Sequence, residues 1–207
     1  MRVTPLKLAV FISGGGTTLR NLIAKIDAGA LPAQISVVVS SNPAAKGNEI
    51  AANAGIRHVV VERRAFDSVE RFSQSVFAPC FEQQVDLIIM AGFLKLVRIP
   101  PEFAGRVMNI HPSLIPAYCG AGFYGLNVHA AVLEAGDKIS GCTVHFVDDQ
   151  YDNGPIILQR EVPVLTGDTP ETLAMRVFEA ECEAYPEAIR LFAEGRLQID
   201  GERVVIT

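Results

Sequence analysis

Short, uninterrupted runs of Val, Ile and Leu alternate with stretches of helical periodicity along most of this chain, and that alternation narrows its possible folds more than any other feature. Leu8-Ala9-Val10-Phe11-Ile12 has no polar position, so it predicts a strand covered on both faces. Ser13-Gly14-Gly15-Gly16 breaks the run. Leu19, Leu22, Ile23 and Ile26 then recur at the i, i+3, i+4, i+7 spacing of a helix with one apolar stripe. Ile35 to Val39 predicts a second strand, with Ser40-Ser41-Asn42-Pro43 as its turn. A weak Ala-rich helix near 45–54 leads to a third strand, His58 to Val61. Val69, Phe72, Val76 and Cys80 mark another helix, which Pro79 is expected to kink or end. Strands four and five are Leu87 to Met90 and Val107 to Ile110. Strands of this kind separated by helices predict an α/β fold: a Rossmann-like, mostly parallel sheet with helices on both faces.

Beyond Ile139 the pattern changes. Cys142-Thr143-Val144-His145-Phe146-Val147 alternates, Asp152-Asn153-Gly154 signals a turn, and Ile156-Ile157-Leu158-Gln159 answers it. Antiparallel strands are therefore expected in the C-terminal third. Thr169-Pro170-Glu171 has the cap and N1 proline of a last long helix, which Pro186 is expected to disturb.

The 207 residues are 49% hydrophobic and 20% charged, enough for one domain with a large core. A net charge of -5 without any Lys/Arg run argues against nucleic acid or an anionic membrane as partner. The longest apolar run, Leu87 to Leu94, is far short of the roughly 18 residues of a membrane span. MRVTPLKLAV has no signal-peptide layout, and Cys80, Cys119, Cys142 and Cys182 show no CxxC spacing. The expectation is a soluble, cytoplasmic protein without a metal site or disulfide framework.

Four places could carry chemistry. Ser13 to Thr18 joins a strand to a helix, where backbone N–H groups and the helix N-terminus favour an anion and glycine admits it closely. The loop lacks the Gly-Lys-Ser/Thr ending of a nucleotide P-loop. Leu19 stands where a dinucleotide fingerprint wants its third glycine, and Ser40-Ser41-Asn42 offers no acid for a ribose. A phosphate ester fits better than NAD or ATP, the plain alternative being a glycine turn. Asn109 and His111, two apart on strand five, project from one face at the carboxyl end of a parallel strand. They are either donors for a developing oxyanion or a capping Asn beside a core His. The acidic loop Asp148-Asp149-Gln150-Tyr151-Asp152-Asn153-Gly154 is either a proton acceptor or a surface turn. Glu181 falls on the apolar stripe formed by Ala174, Val177, Phe178, Tyr185, Ala188, Ile189 and Phe192, which is costly unless the acid has a partner or lies at the stripe's edge.

These residues, in this order, resemble the folate-dependent glycinamide ribonucleotide formyltransferases over nearly the whole chain, from about Leu8 to Val205. The markers are Ile12-Ser13-Gly14-Gly15-Gly16-Thr17, Met90-Ala91-Gly92-Phe93-Leu94, Asn109-Ile110-His111-Pro112-Ser113-Leu114-Ile115-Pro116, Gly141 to Val147, and Asp152-Asn153-Gly154-Pro155-Ile156-Ile157-Leu158-Gln159. The resemblance implies formyl transfer from 10-formyltetrahydrofolate to the amine of glycinamide ribonucleotide, with Asn109, His111 and Asp152 catalytic. It assigns Gly14, Gly15, Gly16, Thr17 and Thr18 to the substrate phosphate and Glu181 to the amine end. Arg64, Leu94, Lys95, Leu96, Val97, Asn109, Val147, Asp148 and Asp152 would line the folate site, and no metal is implied. A single formyltransferase domain, 1–207, would comprise a phosphate-binding half to about 105 and a catalytic, folate-binding half from about 106, as a monomer or homodimer.

The chain departs from the family at Thr18, often Asn, and in Tyr118 to Gly125, which is longer and richer in glycine and aromatics. That stretch would be a mobile lid or an ordinary surface insertion. At this length, the appended domains of related transfer-RNA formyltransferases or formyltetrahydrofolate hydrolases are not expected. A sugar-nucleotide formyltransferase fits the loop less well. A non-catalytic sensor on the same fold has no need for Asn109, His111 and Asp152 together.

Overall fold

The computed structural model describes residues 5–207; the first four residues of the N-terminal stretch considered above lie outside them. The chain forms two compact units, Met1–Met108 and Asn109–Thr207.

The first unit carries β1 (Leu6–Ile12), α1 (Thr17–Asp27), β2 (Ala33–Ser40), α2 (Lys46–Asn53), β3 (His58–Val60), α3 (Val69–Glu82) and β4 (Leu87–Met90). It also contains the start of β5 (Val107–His111). Strand order runs β3-β2-β1-β4-β5, and β1 pairs in parallel with both β2 and β4. Leu8 to Ile12 are fully buried, as a run without polar positions requires. Order reverses between β1 and β4, so the chain leaves two neighbouring strands in opposite topological directions. Such a reversal opens a crevice at the strands' carboxyl ends, and the loops after β1 and β4 border it.

α3 buries Phe72, Val76, Phe77 and Cys80. Phe77 meets Phe11 edge-on at 5.5 Å, and Phe72 stacks with Phe93 at 6.5 Å. This corrects the expectation for Pro79. The helix runs through it to Glu82, with Pro79 itself buried near the end. One missing N–H costs less than the packing of Phe77 and Cys80 on either side contributes.

The second unit continues β5 from Asn109 and adds α4 (Leu126–Ala135), β6 (Ile139–Phe146), β7 (Ile156–Pro163), α5 (Pro170–Ala193), β8 (Leu197–Asp200) and β9 (Arg203–Ile206). Strand order is β5-β6-β7, and β6 and β7 are antiparallel as expected. Their register slips at one place: Val144 pairs with Leu158 but His145 with Ile156. Such a bulge re-aims the side chains beyond it. α5 opens on a capping box between Thr169 and Thr172 with Pro170 at the first helical position. It too overrides its proline. Pro186 is buried within a continuous 24-residue helix, held by buried Ala184, Tyr185, Ala188 and Ile189. Periodicity did not indicate α4 or the β8–β9 hairpin.

Candidate active site

In the first unit the glycine loop is shaped by close packing. Gly16 has φ +71 and caps α1 without any side-chain bond, and the first turn of α1 holds no acid. A Cβ on Gly16 would come within 2.6 Å of the Gly47 Cα, so only glycine fits. Gly47 N–H donates to the Gly14 carbonyl at 3.2 Å, fixing the loop against α2. Gly14 and Gly15 are exposed with open space beside them, and Thr17 is exposed while Thr18 is half-buried. The amides at the start of α1 thus face an uncrowded surface carrying the positive end of a helix. Ser13 fastens this loop to its neighbours. Its hydroxyl shares a 2.7 Å bond with Ser41 and accepts from Leu94 N–H at 2.9 Å. Leu94 and Lys95 are exposed, Leu96 is half-buried and Val97 is in the core. Arg64 is exposed and paired with Glu62 at 2.7 Å.

In the second unit the structure brings Asn109, His111 and Asp152 together and adds a fourth residue, His145. Asn109 donates from Nδ2 to Asp152 Oδ1 at 3.3 Å and meets His145 Nε2 at 3.2 Å. His145 Nδ1 lies 2.8 Å from the Phe146 carbonyl, which only accepts, so Nδ1 carries a hydrogen and Nε2 faces the Asn109 NH2 as its acceptor. His145 therefore turns the NH2 end of Asn109 inward. His111 follows the same logic in mirror image. Its Nε2 donates to the Tyr118 carbonyl at 2.8 Å, leaving the lone pair of Nδ1 facing Asp152 Oδ2 across 3.4 Å. Asp152 Oδ2 also accepts from Gly120 N–H at 2.9 Å.

Burial disfavours charge on His111 and outweighs the attraction of Asp152, so its pKa lies below the ordinary imidazole value. Burial alone would raise Asp152, but the His145 ring, the His111 ring and the Gly120 N–H together hold its carboxyl below the usual range. At neutral pH the site is a carboxylate beside a neutral imidazole, with a vacant proton position between them.

Thr143 braces the segment after β5. Its hydroxyl donates to the Ser113 carbonyl at 2.7 Å while accepting from Ile115 N–H at 3.0 Å and Gln159 Nε2 at 2.8 Å. Ser113, Thr143 and Gln159, each from a different marker run, thus meet at one hydroxyl. His145 and Thr143 went unassigned in the sequence, although two polar residues spaced by two in a buried strand repeat the pattern of Asn109 and His111. Val147 and Asp148 are half-buried at the end of β6. Asp148 borders a cavity of about 630 Å³ shared with Ile115, Asn153, Ile156 and Arg203.

Glu181 retains some exposure, yet its carboxyl has no ion pair or hydrogen bond among the described residues, and burial pushes it up to about 7. The folded state thus holds this proton more tightly than an ordinary carboxyl of 4.5 does. The contribution of Glu181 to stability is fully present below pH 4.5 and falls as pH rises toward 7. Glu181→Gln is expected to raise stability at pH 8 by about 1–2 kcal/mol and to change little at pH 4. Urea unfolding at the two pH values measures this; an equal effect at both would remove the titration from the explanation.

The family model for formyl transferase matches residues 6–189. The chain belongs to that family. Among solved structures this formyl transferase is similar to glycinamide ribonucleotide transformylase 1 from Symbiobacterium toebii. The identity is 43% and the TM-score 0.90, covering 98% of this chain and 94% of that one. Phosphoribosylglycinamide formyltransferase of Haemophilus influenzae is 38% identical over 195 residues, which are 93% of this chain and 90% of the relative. The trifunctional purine biosynthetic protein adenosine-3 of Gallus gallus is 41% identical over 201 residues, and the match spans 96% of this chain but 20% of the larger protein. No helix of the described residues is long and apolar enough to cross a membrane.

Proposed function

We propose that this formyl transferase moves the formyl group of 10-formyltetrahydrofolate to the amine of glycinamide ribonucleotide, giving formylglycinamide ribonucleotide and tetrahydrofolate in de novo purine biosynthesis. The cluster of half-buried Asn109 and Asp152 with buried His111 and His145 carries this reading.

When an amine attacks a formyl carbon, a C–N bond forms and the carbonyl electrons move to oxygen. The nitrogen must then lose a proton, and the departing folate nitrogen must gain one. Asn109, its NH2 directed by His145, donates to the developing oxyanion. Asp152, ionised at neutral pH, takes the amine proton. His111 Nδ1, facing Asp152, receives that proton and becomes a donor to the leaving nitrogen, with its other nitrogen tethered to Tyr118 throughout.

The amides of Gly14, Gly15, Gly16, Thr17 and Thr18 hold the substrate phosphate, and Glu181 meets the amine end. Arg64, Leu94, Lys95, Leu96, Val97, Asn109, Val147, Asp148 and Asp152 serve the folate. In this reading one formyltransferase domain comprises a phosphate-binding half and a catalytic half, and acts on small molecules in the cytoplasm as a monomer or homodimer. It needs neither nucleic acid nor membrane.

The purified chain is expected to formylate glycinamide ribonucleotide when given 10-formyltetrahydrofolate, with product followed by chromatography. Binding of both ligands without product would leave a sensor, and formate released without any acceptor would leave a hydrolase. Either result would displace the transferase reading.

A further inference from the structure

The segment Tyr118–Gly120 holds both partners of the proton position through its backbone. The Tyr118 carbonyl accepts from His111 Nε2 at 2.8 Å, and two residues later Gly120 N–H donates to Asp152 Oδ2 at 2.9 Å. The 3.4 Å gap between His111 Nδ1 and Asp152 is therefore set by how this short stretch is oriented. Tyr118 has φ +52, a left-handed conformation that a residue with a Cβ rarely adopts unless something holds it. Its own side chain supplies the hold. The phenol donates to the Asp137 carboxylate at 2.6 Å, and the Phe123 ring lies edge-on to the Tyr118 ring at 6.3 Å. Asp137 sits between α4 and β6, and its backbone N–H is bound to the Val132 carbonyl. Ser113 Oγ donates to the carbonyls of Ala117 and Tyr118, closing the segment from the other side.

We propose that Tyr118 is a positioning residue: its hydrogen bond to Asp137 holds the Tyr118 carbonyl and the Gly120 amide against His111 and Asp152, and so fixes which imidazole nitrogen faces the carboxylate. The Gly-rich stretch is then neither a lid nor a neutral insertion, but part of how the catalytic pair is aimed. The role in catalysis rests on the formyl-transfer reading; the control of the His111 tautomer does not. The groups that act on His111 from the surrounding elements are Asp152 and His145, and neither takes over the Tyr118 contact; His129 of α4 is itself pushed down by His111.

The test uses Tyr118→Phe, Asp137→Ala and Asp137→Asn in the full chain. The Tyr118–Asp137 bond is exposed, so its loss leaves the fold intact, and circular dichroism and thermal unfolding verify this. Tyr118→Phe and Asp137→Ala are each expected to lower kcat about tenfold, with KM for both substrates within about twofold and no further loss when combined. The limb of the pH–rate profile governed by His111 shifts as well. Asp137→Asn keeps an acceptor oxygen and recovers most of the rate. Imidazole 15N shifts of His111 are expected to report the Nε2–H tautomer in the parent and a mixture in Tyr118→Phe. An unchanged tautomer with unchanged kcat overturns the proposal, as does a rise in KM alone, which would make the segment a substrate lid. A changed tautomer in a chain that transfers no formyl group upholds the positioning role and removes the activity assigned above.

Discussion

Asp152→Asn is expected to lower kcat for formyl transfer about a thousandfold while leaving both KM values within a few-fold. The substitution isolates charge from shape. Asp152 sits at φ +52, a conformation that Asn tolerates as well as Asp, so the backbone of the loop stays in place. With its oxygen in the Oδ2 place the Asn side chain still accepts from Gly120 N–H, and its NH2, in the Oδ1 place, faces the His145 ring and no longer accepts from Asn109. What disappears is the site's anion and its capacity to take a proton. The Asp152 charge also raises the His111 pKa against the effect of burial, so removing it drives His111 further from its protonated form. Both partners of the proton step are thus disabled by one atom change. Steady-state rates across pH, with the His111 shift followed by NMR, measure the effect. A variant that keeps more than about a tenth of the parent rate would move the proton step away from this carboxylate.

Gly154→Ala is expected to cost about 2–4 kcal/mol of stability and about a hundredfold in kcat. A Cβ at this position would overlap the Phe146 carbonyl oxygen and press on Asp148 N at 3.4 Å. That carbonyl is the acceptor that keeps the hydrogen on His145 Nδ1, and Phe146 N–H closes the neck of the loop by donating to the Pro155 carbonyl at 2.9 Å. Moving it frees His145 to change tautomer. Asn109 then loses the acceptor that turns its NH2 inward. Because the obstacle is backbone rather than a flexible side chain, the chain has no inexpensive way to give. Calorimetry and steady-state kinetics check the two halves of the expectation. A thermal midpoint within about 2 °C of the parent would show that the hairpin neck yields more readily than its packing implies.

Most of the parallel architecture was legible in the sequence because strands buried on both faces leave no polar position, as in Leu8 to Ile12. The capped start of α5 at Thr169-Pro170 was equally plain. Prolines were the misleading signal. Pro79 and Pro186 lie inside helices whose flanking side chains are so well buried that the local penalty is absorbed. α4 escaped notice because it follows a glycine-rich stretch and its residues are apolar on more than one side. At the site, Asn109 and His111 were visible as a same-face pair on a strand. Thr143 and His145 repeat that spacing on β6, but the amide His145 acts on lies 36 positions earlier, so the spacing alone does not tell its role. The Tyr118 carbonyl and the Gly120 amide were invisible in principle, since nearly any residue type supplies those backbone atoms.

The β6–β7 register slip and the two same-face pairs have a consequence for how this chain tolerates changes in length. Asn109 and His111, and likewise Thr143 and His145, sit at even separation, so their chemistry depends on parity along each strand. One residue inserted within β5 would exchange Asn109 and His111 for Ile110 at the working face, and two would restore it. The slip opposite His145 already spends one such step on the β7 side. Indels of a single residue should therefore be silent in the connections before β5 and after β7 but abolish activity inside the strands, an odd–even rule that a length-scanning library would expose directly.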